Sequence, residues 1–142
     1  MGNTFLFSGN ISSPIELDQI IHHRCGIISL EKDIYRFDIA EGAEITLEDA
    51  EELIRIGTEI TKGLRVGALV DARANFTDTN ESRKYFAEQT AAQQFAAVAI
   101  VTKSLAQRLI VNFYINVNRP NVPTRMFGDK DEAIKWLRKT LA

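Results

Sequence analysis

From Cys25 onward the chain changes hydrophobic period in a regular order. Gly26 to Leu30 and Tyr35 to Ile39 flank the polar triplet Glu31-Lys32-Asp33, and Tyr35, Phe37 and Ile39 alternate with Arg36 and Asp38. Alternation at period two is the mark of a half-buried strand. These two runs predict an antiparallel hairpin, ended by Glu41-Gly42. The period then lengthens. Thr46 can cap the free amides of a helix and Asp49 can reach back to it. Leu47, Ala50, Leu53, Ile54, Gly57 and Ile60 form its apolar stripe, and Lys62-Gly63 predicts its end. Val66 to Ala72 is a short apolar run closing on Asp71 and Arg73. Such a run reads as a strand buried on both faces. The carboxyl end of a strand of this kind is where an open α/β sheet usually places function.

The polar loop Asn75 to Ser82 leads into a second helix starting at Asp78 or Thr79, with Tyr85, Phe86 and Phe95 supplying apolar faces. Ala97 to Val101 is the next buried strand. Ser104 caps a third helix, with Gln107 completing the box. Its stripe is Leu105, Leu109, Ile110, Phe113 and Val117. With Val111, Tyr114 and Ile115 the helix is apolar almost all round. One stripe must face the sheet, and the remainder exceeds what one side of a two-layer domain hides. The excess, with Phe113, Tyr114 and Val117 as candidate residues, meets a partner subunit or walls an apolar pocket, unless the first 24 residues cover it. Arg119-Pro120 stops this helix. Arg125 to Phe127 is a short strand. Asp129 and Glu132 cap a last helix that buries Ala133, Ile134, Leu137 and Leu141.

The order is two strands, then helix and strand three times, then a helix. It predicts an α/β domain over residues 25–142: a mixed, mainly parallel sheet with a leading antiparallel hairpin and four helices. Residues 1–24 form an extension of uncertain structure, with Thr4 to Phe7 a short strand and Ser12-Ser13-Pro14 a turn. The formal net charge of −2 offers no field for nucleic acid or anionic membrane. The single cysteine, Cys25, allows no intrachain disulfide and suits a reducing compartment. No secretory leader is visible, and no apolar run approaches the roughly 20 residues of a membrane helix. A soluble cytoplasmic protein with no integral membrane segment is expected.

Four segments carry a resemblance: Ile45-Thr46-Leu47-Glu48-Asp49-Ala50, Leu69-Val70-Asp71-Ala72-Arg73, Glu81-Ser82-Arg83 with Phe86, and Asn118-Arg119-Pro120 to Thr124-Arg125-Met126-Phe127. Over residues 25–142 they resemble the STAS-type fold of the sporulation anti-anti-sigma factors. The closer likeness is to small bacterial proteins of the same SpoIIAA-like superfamily, for which there is no activity to name. The resemblance implies the STAS fold and a regulatory role through protein contacts. It also implies a phospho-acceptor where a strand feeds a helix, in the loop of Asp78, Thr79 and Ser82, with Thr79 as the acceptor. The family pattern is a serine followed by a hydroxyl residue and glycine, whereas here Asn80 and Glu81 follow. Glu81 would repel a phosphate, so a helix cap at Asp78 or Thr79 is the preferred reading.

Other chemistry is sparse. Asp71 and Arg73 lie two apart and share a face. Arg73, helped by Arg83, is a candidate anion or partner contact beside the second helix, against the plainer reading of an ion pair. His22 and His23 point to opposite faces of a strand and cannot easily grip one ion, so no metal is expected. Cys25 reads as a small buried hydrophobe. No Gly-rich phosphate loop and no nucleophile elbow is present, and no cofactor is expected. The sequence therefore predicts a non-catalytic module, homodimeric or bound to a regulatory protein partner. A module for a small apolar or lipid-like ligand is the alternative.

Overall fold

The structure, a computed structural model, describes residues 19–92 and 95–142. The expected strand at Thr4 to Phe7 and turn at Ser12 to Pro14 lie outside these residues. The hairpin of the sequence forms the last two strands of a three-stranded meander. Strand β1 (Gln19–His23) pairs antiparallel with β2 (Gly26–Glu31), which pairs antiparallel with β3 (Ile34–Ile39). Then β5 (Val66–Asp71), β7 (Phe95–Val101) and β8 (Thr124–Phe127) add in parallel, giving the order β1-β2-β3-β5-β7-β8. Two three-residue strands, β4 (Ala43–Ile45) and β6 (Phe76–Asp78), form a separate parallel pair.

The parallel strands are joined through α1 (Leu47–Thr61), α2 (Asn80–Ala92) and α3 (Leu105–Phe113), the last continuing as a π-helical turn over Tyr114–Asn118. Each crossover steps the same way along the sheet, so right-handedness puts all three helices on one face. That face carries a continuous apolar row, Ile21, Ile28, Phe37, Val70, Ile100 and Met126, in register across the six strands. Helix α4 (Lys130–Leu141) makes no crossover and covers the other face. There Leu69, Ala97, Ala99 and Val101 meet Ala133 and Leu137. Gly67 permits this closeness: a Cβ there would lie 3.1 Å from Leu137 Cδ2.

The capping boxes form as the spacing predicts. Thr46 Oγ1 accepts from Asp49 N while the Asp49 carboxylate accepts from Thr46 N at 2.9 Å. Ser104 and Gln107 do the same for α3. At the end of α1 the left-handed residue is Lys62 itself (φ 51°), followed by Gly63 (φ 78°). No helix among the described residues is long and apolar enough to cross a membrane.

Of the apolar stripe of α3, Leu105 (64%) and Leu109 (61%) are exposed, as are Phe113 (47%) and Val117 (59%), two of the three residues named for the surplus apolar face. The inward face is Gln107, Val111 and, in part, Ile110, Tyr114 and Ile115. A polar residue sets this rotation. Gln107 Nε2 donates to the carbonyls of Arg73 (2.5 Å) and Ala74 (3.1 Å), just beyond β5. Its Oε1 accepts from Lys103 N at 2.7 Å and Ser104 N at 3.1 Å. A buried amide with all these bonds outweighs the hydrophobic face it displaces, because turning it away would cost the side chain its four hydrogen bonds and strip two part-buried carbonyls of this donor.

Candidate functional site

Between the sheet and its three covering helices lies a cavity of about 130 Å³. Tyr35, Phe37, Ala68, Val70, Val98 and Ile100 form its floor, and Leu53, Phe86, Ile110, Val111 and Tyr114 face them. One cause is visible: Ala68 and Ala72 are small where neighbouring floor positions are large. Among the lining residues only Tyr35, Asp78, Arg83 and Tyr114 carry polar side-chain groups.

Asp78 ends β6 and Arg83 sits in the first turns of α2. Arg83 Nη1 donates to Asp78 Oδ1 at 2.5 Å, and its Nη2 donates to Asn80 Oδ1. Both side chains are mostly buried, and the Arg83 Nε–H is buried with no hydrogen-bond partner among the described residues. Burial raises the Asp78 carboxyl above its ordinary value, and the Arg83 guanidinium offsets this only in part. Burial likewise raises the Tyr114 hydroxyl, with the Asp78 charge adding to it, so this group stays neutral at physiological pH. Arg83 also lies 5.4 Å from the centroid of the Phe113 ring, linking the cavity wall to the outer side of α3.

The loop ahead of α2 divides its roles. Thr79 is the cap. Its Oγ1 accepts from Ser82 N at 3.0 Å, and Ser82 Oγ accepts from Thr79 N at 3.2 Å, so serine takes the reciprocal place usually held by Glu or Gln. Asp78 does not cap; it pairs with Arg83 instead. Thr79→Ala is therefore expected to cost about 1 kcal/mol and Thr79→Ser almost nothing, both read by chemical denaturation. Equal losses for the two variants would refute the cap.

Asp71 and Arg73 form an ion pair on the other face. Arg73 Nη2 reaches Asp71 Oδ2 at 2.7 Å, and Arg73 Nε reaches Oδ1 at 2.9 Å. This bidentate bond holds the Asp71 carboxyl below its ordinary value against partial burial. Arg36 and Asp38 pair beside it on β3, with Asp38 opposite Asp71 in register. The two arginines proposed to act together, Arg73 and Arg83, are thus each bonded to their own acid on opposite sides of the sheet. No joint anion site forms from them.

The β1–β2 turn brings together groups the sequence left apart. Ligand atoms of His23, Cys25 and Asp49 lie within 4.8 Å of one another. Each already has a partner. Asp49 takes both Arg24 Nε and Nη2 and caps α1 through Thr46, while His23 Nε2 lies 2.7 Å from Glu52 Oε1. Burial acts to raise the Asp49 carboxyl, but the Thr46 and Arg24 hydrogen bonds outweigh it and hold it low. Burial lifts the fully enclosed Cys25 thiol to about 11, so it stays protonated. His23 and Asp49 could not have been joined from spacing alone, since 26 positions separate them.

The sequence also missed β4 and β6, of three residues each. Yet β6 places Asp78: pairing of Ile45 with Asp78 sets this acid beside the cavity.

A family model described as a domain of unknown function, DUF7793, matches residues 28–141. Among solved structures, this chain is similar to an uncharacterised DUF3478-family protein with a SpoIIAA-like fold from Shewanella loihica PV-4. The two are 20% identical with a TM-score of 0.54, over 90% of this chain and 99% of that one. The SpoIIAA-like fold implied by the four sequence segments is therefore the fold of this chain. No curated protein matches it.

Proposed function

We propose that this chain, which belongs to the DUF7793 family, is a non-catalytic regulatory module acting through protein contact on the outer face of α3. The observation that carries this reading is the exposed line Leu105, Leu109, Phe113 and Val117, spaced by four residues along one side of the helix. Four large apolar side chains in a row are costly in water and common at interfaces. A cytoplasmic setting fits the lone buried thiol. The non-catalytic reading is supported by the pairing of Asp49, Asp71 and Asp78 with arginines.

The occupant we favour is a second copy. Exposed neighbours on the line are Arg108, Asn112 and Asn116, and no acid lies between Ser104 and Asn118, so a single cation is the only charge along the stripe. A two-fold axis near Val111 would set Leu105 against Val117 and Leu109 against Phe113, making the stripe complementary to itself. Sedimentation should show a dimer at tens of micromolar (roughly the affinity of a modest interface). Leu109→Glu should leave a folded monomer whose thermal stability is lowered only by the lost contribution of association, because within one copy the residue is exposed. A strict monomer, both in the full chain and after removal of residues 1–18, would overturn the reading. A dimer seen only after that removal would assign the stripe to the first 18 residues instead.

A second reading has its own observation. The apolar cavity is of the size that holds a small ring: an engineered protein cavity of about 150 Å³ admits benzene. On this reading the module binds a small apolar ligand.

A further inference from the structure

We propose that the cavity takes a small, neutral, hydroxyl-bearing apolar molecule of the phenol class, in preference to an acid or a bare hydrocarbon. The proposal rests on the second reading, that the cavity holds a ligand, and adds the chemistry of that ligand.

Size and lining come first. A cavity of about 130 Å³ walled by Phe37, Val70, Val98, Ile100 and Val111 suits a single ring. Polarity is confined to a few wall groups, of which only Asp78 and Arg83 are charged. Their charges already cancel. A carboxylate entering beside them would set two anions against one cation next to two mostly buried side chains, and such imbalance is expensive there. An ammonium would meet the mirror problem at Arg83. Charge arithmetic therefore favours a neutral ligand.

Hydrogen bonding then separates a hydroxyl from a hydrocarbon. The Arg83 Nε–H is buried and has no partner among the described residues. A hydrocarbon would complete its desolvation without pairing it. A carboxylate has about four acceptor positions, so Asp78 can accept more than the one bond from Arg83 Nη1. A hydroxyl group is both acceptor and donor. It can either take the Arg83 N–H or give its own proton to a free lone pair of Asp78, whichever of the two it reaches, and a hydrocarbon can do neither.

The test is a titration of the full chain with phenol, toluene and benzoate, followed by the methyl signals of Val98 and Ile100 in NMR. Phenol and toluene match in size and differ in the hydroxyl alone. Phenol should bind at least about tenfold more tightly than toluene, and more tightly than benzoate by a similar factor, where tenfold corresponds to 1.4 kcal/mol. Asp78→Asn leaves the Arg83 charge uncompensated, and the order of phenol and benzoate should then invert. Ala68→Leu, or Ala72→Val where the larger change prevents folding, should abolish binding of all three by filling the cavity. Toluene equal to phenol would overturn the proposal while leaving the ligand reading in place. Benzoate equal to or above phenol in the unaltered protein would overturn it as well. No shift at either methyl with phenol or toluene would remove both readings together.

Discussion

Gly26→Ala should destabilise the fold by at least about 3 kcal/mol, the sum of a backbone clash and an unfavourable φ. A Cβ at Gly26 would lie 2.1 Å from the Asp38 carbonyl oxygen and 2.8 Å from Phe37 Cε1. The oxygen belongs to the backbone of the neighbouring strand, so no side chain can swing aside to relieve the overlap. Gly26 pairs with Ile39 at the point where β2 begins and β3 ends. Opening that point loosens the β1–β2 turn, from which Arg24 reaches Asp49, and shifts Phe37 in the cavity floor. Urea denaturation gives the measurement, and Gly42→Ala the control. Gly42 also has a positive φ (79°), but nothing lies within 4 Å of its added Cβ. It should lose only about 1 kcal/mol, the conformational part alone. Equal losses at the two glycines would show that the contact with β3 contributes nothing.

The elements that could be read from the sequence are those in which one local signal settles one local structure. Thr46 with Asp49, and Ser104 with Gln107, each define a helix start within four residues. Val66 to Asp71 and Phe95 to Val101 are so apolar that burial on both faces is their only stable state. What stayed hidden needed information from elsewhere in the chain. A helical period identifies the faces of α3 but not which one turns inward, and that choice is made by Gln107 against carbonyls beyond β5. With apolar residues on nearly every side, the hydrophobic pattern had no power to decide. Asp78 and Thr79 are both good capping residues, and sequence could not separate them. Asp78 is withdrawn from the cap by β6, a strand too short to show a period, and by an arginine five positions on. The cavity has no sequence signature, since it is a volume left between Ala68, Ala72 and the helices above.

The Asp78–Arg83 pair should show the second large effect. Arg83→Met is expected to cost about 3 kcal/mol at neutral pH, because it strands a mostly buried carboxylate. The loss should depend on pH in a determined direction. Burial already raises the Asp78 carboxyl above 3.8 with Arg83 present, and loss of the cation raises it further. A raised carboxyl means that the folded state binds a proton more readily than the unfolded chain between the two values. Stability in that window increases as pH falls. The penalty of Arg83→Met relative to the unaltered protein is thus largest above the raised value and shrinks as pH drops through it towards 4. Asp49 and Asp71 act oppositely, since their carboxyls are held low and both proteins lose that contribution together on further acidification. The comparison must be a difference between variants at each pH rather than a single curve. Asp78→Asn combined with Arg83→Met should recover most of the loss, because no charge is left buried alone. A penalty that does not change with pH, or a double variant as unstable as the sum of the two single ones, would mean that the pair is solvated. The charge balance that selects a neutral ligand would then have no basis, because in water a carboxylate beside Asp78 costs little.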